Sequence, residues 1–333
     1  MKKLMNDPAN VVDEMIEGYV KAFPNYVQQL AENKRALVAV REESQKVGVL
    51  IGGGSGHEPA FMGYVGYGMA DGVAVGNIFA SPSPDPIVEV TKKIDNGQGV
   101  VYIYGNYAGD LMNFGMAAEL ADLEEDITVE CVIVTDDVAS APKEEQHKRR
   151  GIAGEFFVTK AAGAASEKGY SLEEVVRVAN KMNDVTRTMG VGLSPCSLPQ
   201  TGQPSFELEA DEMEIGLGHH GEPGIEKGKL QTADEVVDRL VDAILEDMPI
   251  ESGNKVAVLV NGLGSTTNME LYILFRRVEQ ILTAKNIHIH RSFVGNYSTS
   301  LEMGGASISI AQLDDELMEV IDFAADCPMY VQR

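Results

Sequence analysis

Val47-Gly48-Val49-Leu50-Ile51-Gly52-Gly53-Gly54-Ser55-Gly56-His57-Glu58-Pro59 is the stretch on which the fold turns. Its first five residues are a short apolar run, the signal of a buried strand. The run empties into a glycine-rich turn that ends in an imidazole. In open α/β sheets, ligands bind beyond the carboxyl ends of the strands, and a strand delivering such a turn fits that architecture. Three familiar motifs fail on it. A dinucleotide fingerprint from Gly52 and Gly54 needs glycine at 57, where His57 stands. No Gly-Lys-Ser/Thr follows, which removes a P-loop. A Gly-x-Ser-x-Gly elbow from Gly53 also needs glycine at 57. What remains is a set of backbone N–H groups, the Ser55 hydroxyl and the His57 imidazole. A plain tight turn is the competing reading.

The same pattern recurs along the chain. Val100-Val101-Tyr102-Ile103-Tyr104 reads as a strand that ends in Gly105-Asn106-Tyr107-Ala108-Gly109-Asp110, ahead of an apolar helix from Leu111 to about Leu123. Lys255 to Val260 reads as a strand that ends in Asn261-Gly262-Leu263-Gly264, ahead of a helix carrying Leu271, Leu274, Phe275, Val278 and Leu282. Asp110 fits two roles, a cap for free helix N–H groups or a carboxylate base at a strand end. Val12 to Phe23 has the spacing of an amphipathic helix, and Ser83 opens another through about Ile94. A strand ends at Val132 to Val134; Asp136-Asp137 behind it reads as a helix cap or solvated loop. The charged run Lys143 to Arg150 reads as a solvated loop. A helix rich in small residues follows, with Gly154, Ala161, Ala162, Gly163, Ala164 and Ala165 permitting close approach. Ser171 with Glu174, and Thr232 with Glu235, have capping-box spacing. Asp314 to Ala325 reads as a closing helix. Met189 to Pro204 is irregular and proline-rich. The predicted fold is therefore α/β in two domains, 1–190 and 191–333, each a central sheet with flanking helices.

The second chemical signal is Gly216-Leu217-Gly218-His219-His220-Gly221-Glu222-Pro223-Gly224. A side chain between glycines has little local cover, so His220 can project into a cleft. A neutral imidazole is a nucleophile at neutral pH. A surface turn with idle histidines is the alternative. His288 and His290 share one face of an alternating segment, which suits a solvated sheet face better than a metal, since no acid or Cys spacing supports one.

Composition narrows the partners. The chain has 333 residues and a formal net charge of −24. That field repels nucleic acid and anionic membrane surfaces. Cys131, Cys196 and Cys327 are an odd, widely spaced set with no metal-ligand spacing, which suits a reducing cytoplasm. Acidic residues stand where a secretory signal needs an apolar core, and no apolar run reaches bilayer length.

Five motifs in order are similar to the substrate-binding K subunit of dihydroxyacetone kinases: Gly52 to Ala60, Asn106 to Phe114, Arg149 to Gly154, Gly218 to Gly224 and Val260 to Gly264. The resemblance covers nearly the whole chain. It implies a homodimer of two-domain α/β protomers, an enzyme subunit that binds a short ketose covalently. It implies His220 as the nucleophile that attacks the ketone carbon and forms a hemiaminal. It implies His57 and Asp110 as the groups acting on the hydroxyl that receives phosphate, with Gly54, Ser55 and Gly56 holding the substrate. No metal or nucleotide is expected on this chain. ADP or ATP with magnesium is expected on a separate L-type subunit, fed by ATP itself or by a phosphotransfer relay protein.

The departures from the family pattern are specific. Gly105 stands where the family usually has a substrate-reaching lysine, His219 where an aliphatic residue is common, and Phe61 where a histidine is usual. The segment Tyr104 to Asp110 looks more like the erythrulose-kinase branch, so a four-carbon ketose stands beside dihydroxyacetone as substrate. A non-catalytic, ketose-sensing coactivator of transcription is the remaining reading; His57 and Asp110 argue against it and Gly105 keeps it open.

Overall fold

The structure, a computed structural model, describes residues 2–41 and 44–333. Four strands of the first half run parallel in the order β4 (Gly72–Ile78), β3 (Gly48–Ser55), β5 (Val100–Gly105) and β6 (Val129–Val134). β2 (Ala36–Ala39) and β1 (Val27–Gln29) extend the β4 edge antiparallel. Both faces of this sheet are covered, which is why β3 and β5 read as continuous apolar runs rather than alternating ones. Leu50 and Tyr102 face α2 (Pro84–Ile94) and α3 (Ala108–Glu125), packing with Ile87, Val90 and Phe114. Val49, Ile51, Val101 and Ile103 face the other way, into a core that includes α1 (Val11–Ala22), α4 (Glu155–Glu167) and α5 (Leu172–Asp184).

The second sheet is mixed, in the order β11 (His288–Gly295), β10 (Lys255–Gly262), β12 (Gly304–Leu313), β7 (Thr186–Ser194), β8 (Glu212–Ile215) and β9 (Glu226–Lys229). Only β10 and β11 are parallel. One face packs Val258, Val260, Ile308 and Ile310 under α6 (Ala233–Asp247) and α7 (Asn268–Ala284). Both helices start with complete capping boxes, Thr232 with Glu235 and Thr267 with Glu270. The other face sends Ala257, Leu259, Phe293 and Leu313 into the core that already holds α4 and α5. Helix α8 (Asp315–Asp322) and the hairpin β13 (Ala325–Cys327) with β14 (Tyr330–Gln332) close that layer.

Helix α4 is thus a shared wall, with every residue from Glu155 to Ser166 buried. Its small residues make this possible: a Cβ at Gly163 would come within 2.3 Å of the Met69 carbonyl oxygen. Several sequence expectations shift. The 190/191 cut falls inside β7, which begins at Thr186 and lies wholly in the second sheet. The closing helix ends at Asp322, before a hairpin. Lys143 to Arg150 is not a solvated loop throughout: Arg149 is fully buried and bonds Asp247 through Nη1 at 2.9 Å. Asp136 and Asp137 are also buried. Asp136 accepts from the N–H groups of Ile152 and Gly154, both at 2.8 Å, at the entry to α4.

Candidate active site

The carboxyl ends of β3 and β5, the start of α4 and the β8–β9 loop converge on one cleft of about 300 Å³. Gly52 to Gly54, His57, Gly105, Asp110, Glu155, His219 and His220 line it, with Phe61, Phe79 and Tyr107 among the apolar walls. The glycines here set how closely the walls approach: a Cβ on Gly54 would sit 2.6 Å from the Ala80 nitrogen.

His57 is held from the opposite half of the molecule. Its ring is buried, stacks on Phe79 at 5.1 Å and places Nδ1 2.7 Å from the Thr299 carbonyl. A carbonyl only accepts, so Nδ1 carries the proton and Nε2 presents a lone pair. Its turn is clamped as well: Thr299 N donates to the His57 carbonyl at 3.1 Å and Leu301 N to that of Gly56 at 2.6 Å. Burial first, then the neighbouring His219 and His220 rings, push the pKa of His57 well below the usual histidine value.

His220 is held by its own loop. About a quarter of its side chain is exposed. Its Nδ1 lies 2.8 Å from Glu222 Oε1, and its backbone N–H donates to Glu222 Oε2, also at 2.8 Å. Burial opposes ionisation of Glu222, yet the bonds from the His220 ring and backbone hold its carboxyl down at about 2. The carboxylate therefore fixes the proton on Nδ1 and turns the Nε2 lone pair into the cleft. Arg150 Nη1 stands 4.0 Å behind Glu222, and Arg150 Nε donates to Asp137 at 2.8 Å. A Cβ at Gly218 would push the Glu222 carboxylate and the Arg150 guanidinium out of these positions. The two Nε2 atoms lie 3.1 Å apart. Two acceptors do not bond each other, so this contact calls for a further proton or a ligand atom between the rings.

Asp110 lies in the first turn of α3 without capping it: the N-cap is Tyr107, which makes no side-chain cap bond. Asp110 Oδ1 is buried without a partner. Burial raises its pKa to about 6, against the pull of Ser81 and His220. Gly105 also lines the cleft, its wall bare of side chain. Two other buried polar atoms in the lining lack partners, Tyr107 Oη and Glu155 Oε1.

The structure thus brings His57, Asp110, His220, Gly54 and Gly105 together. Ser55 and Gly56 do not join them. The Ser55 hydroxyl donates to the Gly76 carbonyl at 2.7 Å, and the Gly56 N–H bonds the Glu58 carboxylate at 3.0 Å. Sequence reading missed Glu222, Arg150, Thr299, Ser298 and Glu155. Glu222 had a signal, an acid two residues past the histidine. His219 is buried, its Nε2 3.0 Å from the Ser298 hydroxyl; burial and then His220 lower its pKa to about 4. His290 binds Asp322 at 2.7 Å, and among the described residues no cluster of three or more His, Cys, Asp or Glu side chains suits a metal ion.

A model of the Dak1 domain matches residues 17–329. The PTS-dependent dihydroxyacetone kinase 2, dihydroxyacetone-binding subunit DhaK, of Listeria innocua is 47% identical over 331 residues, 99% of each chain. The L-erythrulose kinase of Pectobacterium atrosepticum is 41% identical; the match takes in 99% of this chain but 56% of that protein. Among solved structures, the dihydroxyacetone kinase operon co-activator Dha-DhaQ superposes with a TM-score of 0.89 at 31% identity, over 96% of this chain and 98% of that one. The chain belongs to the Dak1 family, alongside dihydroxyacetone-binding kinase subunits and erythrulose kinases.

Proposed function

We propose that this chain is the ketose-binding subunit of a dihydroxyacetone kinase, and that it captures its substrate covalently on His220. One observation carries the reading: an accessible imidazole whose Nδ1 is tied to an ionised carboxylate, so that Nε2 faces a cleft shared with His57 and Asp110. Attack by Nε2 forms the C–N bond as the ketone π bond breaks. The oxygen takes up a proton from solvent, and the hydroxyl so formed donates to the Nε2 lone pair of His57. The ring becomes cationic, keeps its Nδ1 proton and faces Glu222. Capture selects ketoses over polyols by reaction, because a polyol has no carbonyl carbon to attack.

Captured substrate then presents a terminal hydroxyl near Asp110. As the oxygen bonds the incoming phosphorus and the leaving oxygen departs, the hydroxyl proton passes to Asp110. The nucleotide with its magnesium sits on a separate L-type partner; the extra length of the matched erythrulose kinase supports a division of labour of that kind. The likeness to an erythrulose kinase supports a four-carbon ketose as well as dihydroxyacetone.

Intact-protein mass after mixing with dihydroxyacetone tests the capture. The expected result is one added ketose on the unaltered protein and none on His220→Ala. Equal, unmodified masses sink the reading. The likeness to the operon co-activator favours a second reading, ketose sensing without transfer. An assay with the partner subunit separates the two, since only the kinase subunit yields phosphorylated ketose.

A further inference from the structure

We propose that Glu155 is a substrate-binding residue that hydrogen-bonds the ketose hydroxyl which does not receive phosphate. The proposal rests on the capture reading above and adds a group that reading leaves idle. Glu155 opens α4, lies in the cleft lining and is only 8% exposed. Its Oε1 is buried with no partner. Leaving a buried polar atom unpartnered is costly, so a filled cleft is where its bond is made.

The ordinary explanation for an acid in a first helical turn is the helix dipole. That explanation needs a charged carboxylate. Burial, then the nearby Asp110 and Asp136, push the pKa of Glu155 well above the usual carboxylate range. A neutral carboxyl instead offers one O–H donor beside its acceptors, which suits a hydroxyl oxygen. The assignments then fall out by elimination. His220 takes the ketone carbon, and Asp110 takes the hydroxyl that is phosphorylated. A ketone flanked by two hydroxymethyl groups leaves one hydroxyl over. Glu155 is the cleft carboxyl left for it. Tyr107 Oη is the competing orphan, but its ring stands edge-on to His220 at 4.9 Å and walls the nucleophile.

Hydroxyacetone, which keeps the ketone and lacks one hydroxyl, makes the test a chemical cycle. Calorimetric affinities for dihydroxyacetone and hydroxyacetone are measured on the unaltered protein, Glu155→Gln, Glu155→Ala and Tyr107→Phe, with melting curves to verify folding. The unaltered protein should favour dihydroxyacetone by about 10-fold. Glu155→Ala should erase that preference without weakening hydroxyacetone, while Glu155→Gln, which still donates, keeps it. Equal weakening of both ketoses by Glu155→Ala overturns the proposal. So does a Gln variant as poor as the Ala variant, loss of the preference in Tyr107→Phe alone, or no preference in the unaltered protein. Absence of any ketose adduct on the unaltered protein overturns the capture reading itself, and this proposal with it.

Discussion

The 52–57 turn and the 218–224 loop each deliver a histidine to the same 3.1 Å contact, and they hold it by opposite means. His57 is buried, stacked and pinned by a carbonyl 242 residues away. His220 is partly open and pinned by a carboxylate two residues away. The first environment disfavours charge on the ring; the second supplies a counter-charge for a cation formed there. One residue type therefore yields two chemical parts, and the surroundings decide which is which. A ring that becomes cationic in the proposed capture belongs beside Glu222, whereas a neutral acceptor belongs beside Thr299.

The division can be broken on either side. The largest effect is expected from Asp110→Asn, which removes the proposed acceptor of the hydroxyl proton. Turnover with the partner subunit should fall by about 10²–10⁴ while the ketose adduct still appears by mass. Loss of both together would mean that capture and transfer are not separable. Glu222→Gln acts on the other side: it keeps the shape and removes the charge. Ketose affinity should fall by about 10- to 100-fold, as for a charge-assisted bond, with kcat less affected than KM. Unchanged affinity would show that the carboxylate does not orient the nucleophile.

Acidity sharpens the contrast. Turnover should decline as pH falls through about 6, where Asp110 takes a proton. Stability runs the other way. Asp110 is raised from an ordinary 3.8 to about 6, so the folded state holds its proton more tightly. The penalty for the buried charge is full above 6 and gone below 3.8. Asp110→Asn should therefore gain about 1–3 kcal/mol in urea melts at pH 7.5, a gain that vanishes under acid. The smallest effect is expected at Ser55, whose hydroxyl faces Gly76 and not the cleft. Ser55→Ala should cost about 1 kcal/mol of stability and leave ketose affinity unchanged.

What the sequence disclosed, and what it hid, follows from range. β3 and its turn were legible because an apolar run and its glycines are contiguous. The capping boxes of α6 and α7 were legible because their partners lie three residues apart. Arg149 and Arg150 read as solvent-loving because Asp247, nearly a hundred residues on, and the Glu222 loop are invisible to a local window. β12 has both faces buried, and a Ser-Ile alternation there announces neither face. The neighbours of Ser55 line the cleft, but successive side chains of a strand point to opposite faces, and its hydroxyl falls on the β4 side. Glu155 gave no signal, since an acid at a helix start is ordinary.

The proposed capture joins His220 Nε2 to the ketone carbon. Protein labelled with ¹⁵N-histidine and mixed with [2-¹³C]dihydroxyacetone reads that bond directly by NMR. The labelled carbon should leave the carbonyl region for that of a tetrahedral carbon, with a one-bond coupling to a histidine nitrogen that is absent in His220→Ala. A bound ketose whose carbon stays in the carbonyl region, or couples to a nitrogen that survives His220→Ala, would contradict it.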